Sequence, residues 1–241
     1  MALDNPSAGE AVDFYSGYDK WKGWIDLFRY TPEKADYFSG ETHGVAIAGA
    51  EVLEIGFGSG DFLQWAIDKG AKVAGTEINP VLLKAAVQRG IELLDADFER
   101  ITDAHAGRFD TIVAYDVFEH FSLDEVTTRL HAAERMLKSG GHLVLRFPNA
   151  QSPFGLAPQH GDPTHRSCLS KSVLEQLIQS CAFEIARYDH QFRTKGRTPA
   201  VFLVRFARHL LRDLISAFLN FVYSTRFPYD PVVVIVLRKK G

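Results

Sequence analysis

Glu51-Val52-Leu53-Glu54-Ile55-Gly56-Phe57-Gly58-Ser59-Gly60-Asp61-Phe62-Leu63-Gln64 is the stretch on which the reading of the fold turns. Val52, Leu53 and Ile55 make a short apolar run of the kind a strand covered on both faces shows, and Gly56, Gly58 and Gly60 end it. Phe62, Leu63, Ala66 and Ile67 then recur at helical spacing, and Gly70 stands where a left-handed C-cap belongs. Strand, glycine turn and helix make half of a nucleotide-binding unit. Glycines let a ligand approach the backbone, and the helix N-terminus offers unpaired amides.

The order of the glycines separates two ligand classes. A dinucleotide fingerprint reads G-x-G-x-x-G, but here Asp61 takes the place of the last glycine. A carboxylate would repel a pyrophosphate, so a nicotinamide cofactor is the lesser alternative. Glu54 and Asp61 suit a cation, such as the amino group of an amino-acid-bearing nucleoside. The second strand, residues 72–76, ends in Glu77, whose carboxylate can accept both hydroxyls of a ribose.

This pattern resembles the class I S-adenosylmethionine-dependent methyltransferases. The resemblance implies an α/β Rossmann-like fold: a seven-stranded, mostly parallel sheet whose last strand lies antiparallel between the fifth and sixth. It also implies a helical cap before the sheet, in residues 1–45, and a methyltransferase domain over residues 46–241. Glu54, Gly56, Gly58, Gly60, Glu77 and Ile78 would then hold S-adenosylmethionine and its product S-adenosylhomocysteine. Asp97 would accept from the adenine amine with Phe98 against the base, and Asp116 and Val117 would stand beside the methionine end.

A 241-residue chain with 46% hydrophobic residues suits one α/β domain with an insertion. Two cysteines and a polar, acidic start give no sign of a disulfide framework or an apolar leader, so a cytoplasmic location is the expectation. The net charge of −3 is uneven: residues 193–241 hold ten Lys/Arg against two acids, or +8, which leaves −11 for the rest. A basic C-terminal fifth suggests an anionic partner, such as a phosphate, a sugar acid or an acidic membrane face. A plain solvated surface explains it as well.

Residues 12–38 are rich in aromatics without strand alternation, which fits short helices over the mouth of the site, with Tyr15, Tyr18, Trp21 and Trp24 able to stack on a ligand or to pack on the domain. Thr31-Pro32 and Asn79-Pro80 announce helices by N-cap and first-turn proline. Residues 91–94 read as a third strand and 109–115 as a fourth. Ser122 and Glu125 have capping-box spacing ahead of a helix over 123–138, and residues 142–147 read as a fifth strand. Residues 183–188 and 232–237 supply the last two strands. Between them residues 199–223 are apolar but carry Arg205, Arg208 and Arg212 at helical spacing, an amphipathic helix and no membrane span.

Residues 148–169, PNAQSPFGLAPQHGDPTHRSCL, lack periodicity and read as a long functional loop. Pro148 to Gly155 and the run Gly161-Asp162-Pro163-Thr164-His165 resemble a bacterial subgroup of these methyltransferases found with surface-polysaccharide biosynthesis, with Pro163 departing from its pattern. Trp21-Lys22-Gly23-Trp24 belongs to the same resemblance. It implies O-methylation of a sugar in a surface glycan or in its lipid- or nucleotide-linked precursor. Asp116-Val117-Phe118-Glu119 lacks the Pro-Pro-aromatic grip of nucleobase-amine methyltransferases, which speaks against a nucleic acid acceptor.

A hydroxyl acceptor calls for a base, and His165, held by Asp162 or by a backbone carbonyl, is the favoured one, with His160 and His120 as substitutes. Asp116, Asp162 and His165 could gather round a hard cation, but no cluster with diagnostic metal-ligand spacing is present, so no metal is assigned. A quinone, polyketide or other small-molecule acceptor is the enzymatic alternative. A cofactor-binding module serving a partner is the non-enzymatic one.

Overall fold

The computed structural model describes residues 23–24 and 26–241. Expectations for Tyr15, Tyr18, Trp21 and Lys22 lie outside these residues. The chain runs α1 (Pro32–Glu41), β1 (Glu51–Ile55), α2 (Asp61–Asp68), β2 (Lys72–Thr76), α3 (Pro80–Gln88), β3 (Glu92–Leu93), α4 (Phe98–Ile101), β4 (Phe109–Tyr115), a 3₁₀ turn Phe118–His120, α5 (Leu123–Met136) and β5 (Leu137–Pro148). It continues through a 3₁₀ turn Pro153–Gly155, α6 (Leu156–His160), α7 (Lys171–Leu177), a 3₁₀ turn Ile178–Ser180, β6 (Phe183–His190), α8 (Pro199–Tyr223) and β7 (Val232–Lys239).

The seven strands form one sheet in the order β3-β2-β1-β4-β5-β7-β6. β1 pairs parallel with β2 and β4, and β7 lies antiparallel between β5 and β6, as the resemblance implies. Strand alternation divides the interior into two cores. Val52, Val113, Val144 and Val234 point to the face that holds Phe38 of α1 and Phe62 and Trp65 of α2. Leu53, Ile112, Leu143 and Ile235 point to the other, against Leu130 and Ala133 of α5 and Leu174 of α7. A strand buried on both faces has no solvent-facing positions, which is why Val52, Leu53 and Ile55 read as an apolar run interrupted only by the site carboxylate Glu54.

The expected caps are in place. Thr31 accepts from Lys34 N and Asn79 from Val81 N, and Ser122 and Glu125 form the full capping box of α5; Ser170 likewise caps α7 by accepting from Val173 N. Three expectations shift. β3 has only two residues; β5 begins at Leu137, not at His142; and the loop after β5 contains α6. The β5 change has a local cause: the ladder pairs Phe109 with Leu137 and Thr111 with His142, so the Ser139-Gly140-Gly141 turn is carried as a bulge in the strand, with Gly140 at φ 74°. In the loop, Pro153 stands just past Ser152, whose hydroxyl accepts from Phe154 N, and this cap starts the helical turn that leads into α6.

Candidate functional site

A cavity of about 980 Å³ opens at the carboxyl ends of β1, β2 and β4, at the upper end of the size range of ligand clefts. Its floor is the glycine turn. Gly56 has φ 63°, and a Cβ there would lie 2.8 Å from Val117 Cγ2, so only glycine lets the turn after β1 meet the turn after β4. Gly60 differs from its expected role. It does not line the cavity, and a Cβ on it would fall 2.4 Å from the Phe28 ring, so its bareness serves packing. Trp24 closes over the turn, its ring 3.1 Å from where a Gly58 Cβ would stand.

Glu77 lines the cavity at the tip of β2, and its carboxylate already has work within the chain. Oε2 accepts from Gly58 N at 3.0 Å, and Oε1 accepts from Ile78 N at 2.7 Å and Asn79 N at 3.0 Å. A carboxylate has about four acceptor positions, so three amides leave room for one more donor before the group must share. Glu77 therefore ties the glycine turn to the second strand as well as facing the ligand space. Ile78 lies exposed beside it, and Asp97 borders the same cavity while pairing with Arg100 at 2.8 Å. The side chain of Phe98 lies outside the described residues.

The wall beside the glycine turn is acidic and buried. Glu54 and Asp61 both face the cavity, and Glu54 Oε2, Asp61 Oδ1 and the Tyr115 hydroxyl have no hydrogen-bond partner among the described residues. Burial, followed by the charge of Asp61, raises the Glu54 carboxyl well above the usual carboxylate range. Lys34, reaching from α1, pairs with the other oxygen of Asp61. Orphaned carboxylate oxygens in a buried wall fit a cationic amine, the group the sequence places there.

Arg146 on β5 is the residue that sequence reasoning missed. Its guanidinium grips both oxygens of Asp116, with Nε 3.0 Å from Oδ1, and donates to the Tyr37 hydroxyl at 2.6 Å. Asp116 occupies the left-handed region at φ 56°, so the chain turns sharply off β4 and sets Val117 against Gly56. A signal was available: an arginine inside the apolar run of residues 142–148 must be paired or functional.

The three candidate bases separate. His120, on the turn after β4, lines the cavity; His165 and Asp162 do not, and His160 lies exposed at the end of α6. The His165 side chain is largely covered by the loop, with Nδ1 donating to the Gln159 carbonyl at 2.9 Å and Nε2 3.9 Å from both Glu119 and Asp162. The backbone carbonyl expected to hold it is there, but the ring is kept out of the cavity wall. Thr164 links two of the candidate residues: its hydroxyl donates to Asp162 Oδ1 and lies 2.9 Å from His120 Nδ1. A hydroxyl has one proton, and with that proton on the Asp162 side it accepts from His120 Nδ1–H, so the neutral ring carries its lone pair on Nε2. The rings of His120 and His165 meet edge to face at 4.8 Å. Donor atoms of Glu119, His120 and His165 also come within 4.8 Å of one another, a grouping that the distant position of 165 in sequence conceals.

The Pro148–Gly155 motif has a structural account. Asn149 Nδ2 donates to the carbonyls of Pro228 and Asp230, and Ser152 Oγ to that of Tyr229, so the motif ties down the connection into β7. None of its residues lines the cavity.

Residues 53–145 match the family described as "Methyltransferase domain". The chain is 31% identical over 138 residues to "Ubiquinone biosynthesis O-methyltransferase" of Xanthomonas oryzae pv. oryzae, a match over 54% of this chain and 56% of that protein. It thus spans about half the length of the curated relatives it matches. The structure resembles an S-adenosylmethionine dependent methyltransferase from Mesorhizobium loti with TM-score 0.61 and 16% identity, over 85% of this chain and 98% of the other. It also resembles Burkholderia thailandensis 1,6-didemethyltoxoflavin-N1-methyltransferase, solved with its substrate and S-adenosylhomocysteine, with TM-score 0.58 and 14% identity, over 95% and 84% of the two chains. Glycine turn, acidic pocket and domain match coincide on the same residues: residues 53–145 match a methyltransferase domain, and the chain has the Rossmann-like fold of the methyltransferase structures it resembles.

Proposed function

We propose that the protein is an O-methyltransferase that moves the methyl group of S-adenosylmethionine to a hydroxyl of a small organic acceptor. The observation that carries this reading is one cavity lined by the carboxylates of Glu54, Asp61 and Glu77 and by an oriented histidine, His120. Bound there, the cofactor supplies an electrophilic methyl on a sulfonium whose departure leaves a neutral thioether. Glu54 and Asp61 would hold its amino group, Glu77 its ribose and Asp97 its adenine amine.

Because the leaving group is neutral, the chain's main task is alignment of acceptor oxygen and methyl carbon. The acceptor hydroxyl forms the new bond to carbon and releases its proton to His120 Nε2. Thr164 and Asp162 hold the ring in the tautomer that can take it, and Asp162 stabilises the imidazolium through the Thr164 hydroxyl. A phenolic hydroxyl has a pKa of about 10, low enough for an imidazole to assist its ionisation in the bond-forming step, whereas a sugar hydroxyl is a far weaker acid.

The named relative supports a quinone-type phenol or catechol as acceptor. The surface-glycan acceptor expected from Pro148–Gly155 loses its main support, because that motif is occupied in tying the chain and stands away from the cavity. The test is transfer of labelled methyl from S-adenosylmethionine to a substituted catechol and to a sugar nucleotide, side by side. Label in the catechol supports the proposal, and label only in the sugar overturns it.

A further inference from the structure

Helix α8 is inverted relative to an ordinary surface helix. At about 100° per residue, Arg205, His209, Ser216 and Asn220 share one stripe. That polar stripe faces the domain. Arg205 bonds Glu33 and Thr194, His209 Nε2 lies 3.3 Å from the Thr194 carbonyl, Ser216 Oγ accepts from Tyr229 N at 3.4 Å, and Asn220 Nδ2 donates to Phe227 O at 3.0 Å. The opposite half of the helix carries Leu203, Phe206, Leu211, Leu214, Phe218 and Phe221, all exposed, with Phe221 at 84%. None of the helix's 25 residues is buried. Apolar patches of this extent mark interaction surfaces.

The charges around the patch say what covers it. Lys195, Arg208 and Arg226 are exposed, and no ion pair joins any of them to a carboxylate among the described residues. Lys195 precedes the helix, Arg226 follows it, and Arg208 stands on the helix flank, exposed at the lip of the polar cleft it lines with Arg205, His209 and Arg212. The outward half contains no charge of either sign. A second copy of this chain, packed face to face, would bring two such cationic rims together from segments that each hold a charge of +8. An anionic bilayer offers hydrocarbon to the apolar half and phosphates to the rim. The helix spans about 37 Å, yet no helix among the described residues is long and apolar enough to cross a membrane, so α8 lies in the interface.

We infer that α8 docks the protein on an anionic lipid surface, with Leu211, Phe218 and Phe221 inserted and Arg208 and Arg226 on headgroup phosphates. The helix joins the carboxyl end of β6 to the start of β7, at the same end of the sheet as the cavity, so docking holds that end near the bilayer.

The test is co-sedimentation of the full chain with vesicles of phosphatidylcholine alone and of phosphatidylcholine with phosphatidylglycerol, with sedimentation velocity on the lipid-free protein. Wild type should favour the anionic vesicles and lose that preference in high salt. Two interfacial cations at about fivefold each make R208Q/R226Q about 25-fold weaker on anionic vesicles. L211E/F218E/F221E should abolish binding to both vesicle types while its thermal melt stays that of wild type, since the replaced side chains are exposed. Absence of vesicle binding by wild type, or undiminished binding by the triple variant, overturns the inference. So does a wild-type dimer that the triple variant splits without any vesicle binding, which would assign the face to a second copy.

Discussion

Arg146 in the fifth strand holds Asp116 at the end of the fourth by both carboxylate oxygens, and through it fixes a left-handed residue on the cavity wall. The pair bridges neighbouring strands where the ladder ends, beside Tyr115↔Arg146. The Tyr37 hydroxyl completes the set from α1, so one guanidinium joins the cap helix to the site.

Replacing Arg146 with Met should therefore cost about 1–3 kcal/mol, a charge-assisted bond lost beside a half-exposed carboxylate. S-adenosylhomocysteine affinity should fall with it, because Val117 is no longer held against Gly56. Asp116→Asn should retain part of both and Asp116→Ala little of either, since alanine loses the side-chain bonds and fits a positive φ poorly. Chemical denaturation with calorimetric titration of the three variants checks the order.

Glu77 accepts three backbone amides and faces the ligand, so an isosteric amide should be nearly as harmful as truncation. Glu77→Gln sets an NH₂ group against Gly58 N–H or against the Ile78 and Asn79 amides. We expect cofactor binding weaker by about 1.5–3 kcal/mol in both Glu77→Gln and Glu77→Ala. Unchanged affinity in calorimetry would remove Glu77 from the ribose.

Glu54 gives the site its pH dependence. Burial and Asp61 raise its carboxyl in the folded chain. The folded state thus holds a proton that the unfolded chain releases near pH 4.5, so this contribution to stability is present in acid and is lost as pH rises through the folded value. A cationic amine favours the carboxylate, so binding should expel the proton and strengthen as pH rises over the same window. Calorimetry of S-adenosylhomocysteine in buffers of different ionisation heat should show that release, and Glu54→Gln should abolish it.

Gly155 tests the structural account of the Pro148–Gly155 motif. A Cβ there would lie 2.1 Å from the Asn149 carbonyl oxygen, a backbone atom that cannot step aside. Gly155→Ala should destabilise by about 1–3 kcal/mol, which lowers the melting temperature by about 2–4 °C per kcal/mol in a chain of this size. The Michaelis constant for the acceptor should not change, and a change confined to that constant would return the motif to substrate binding.

The sheet was legible because its rules are local. Apolar runs marked β1 and β4, prolines after Thr31 and Asn79 marked helix starts, and Gly56 and Gly58 could be read as a ligand turn from their spacing alone. The histidines were not legible in the same way. His165 and His120 both sit in segments leading from strand tips, and only packing decides which enters the cavity. The Thr164 hydroxyl that joins Asp162 to His120 crosses 44 positions in sequence, and no periodicity announces such a contact. The outward apolar half of α8 was equally hidden, because a helical stripe reads the same whether it faces the domain or away from it.

The most direct test is single-turnover methyl transfer to a catechol acceptor at saturating S-adenosylmethionine, comparing wild type with His120→Gln and His165→Gln. The account predicts a rate lower by about 10²–10⁴ for His120→Gln, with cofactor affinity within a few-fold of wild type, and a much smaller loss for His165→Gln. A His120→Gln rate near wild type, with the large loss at His165, would contradict it.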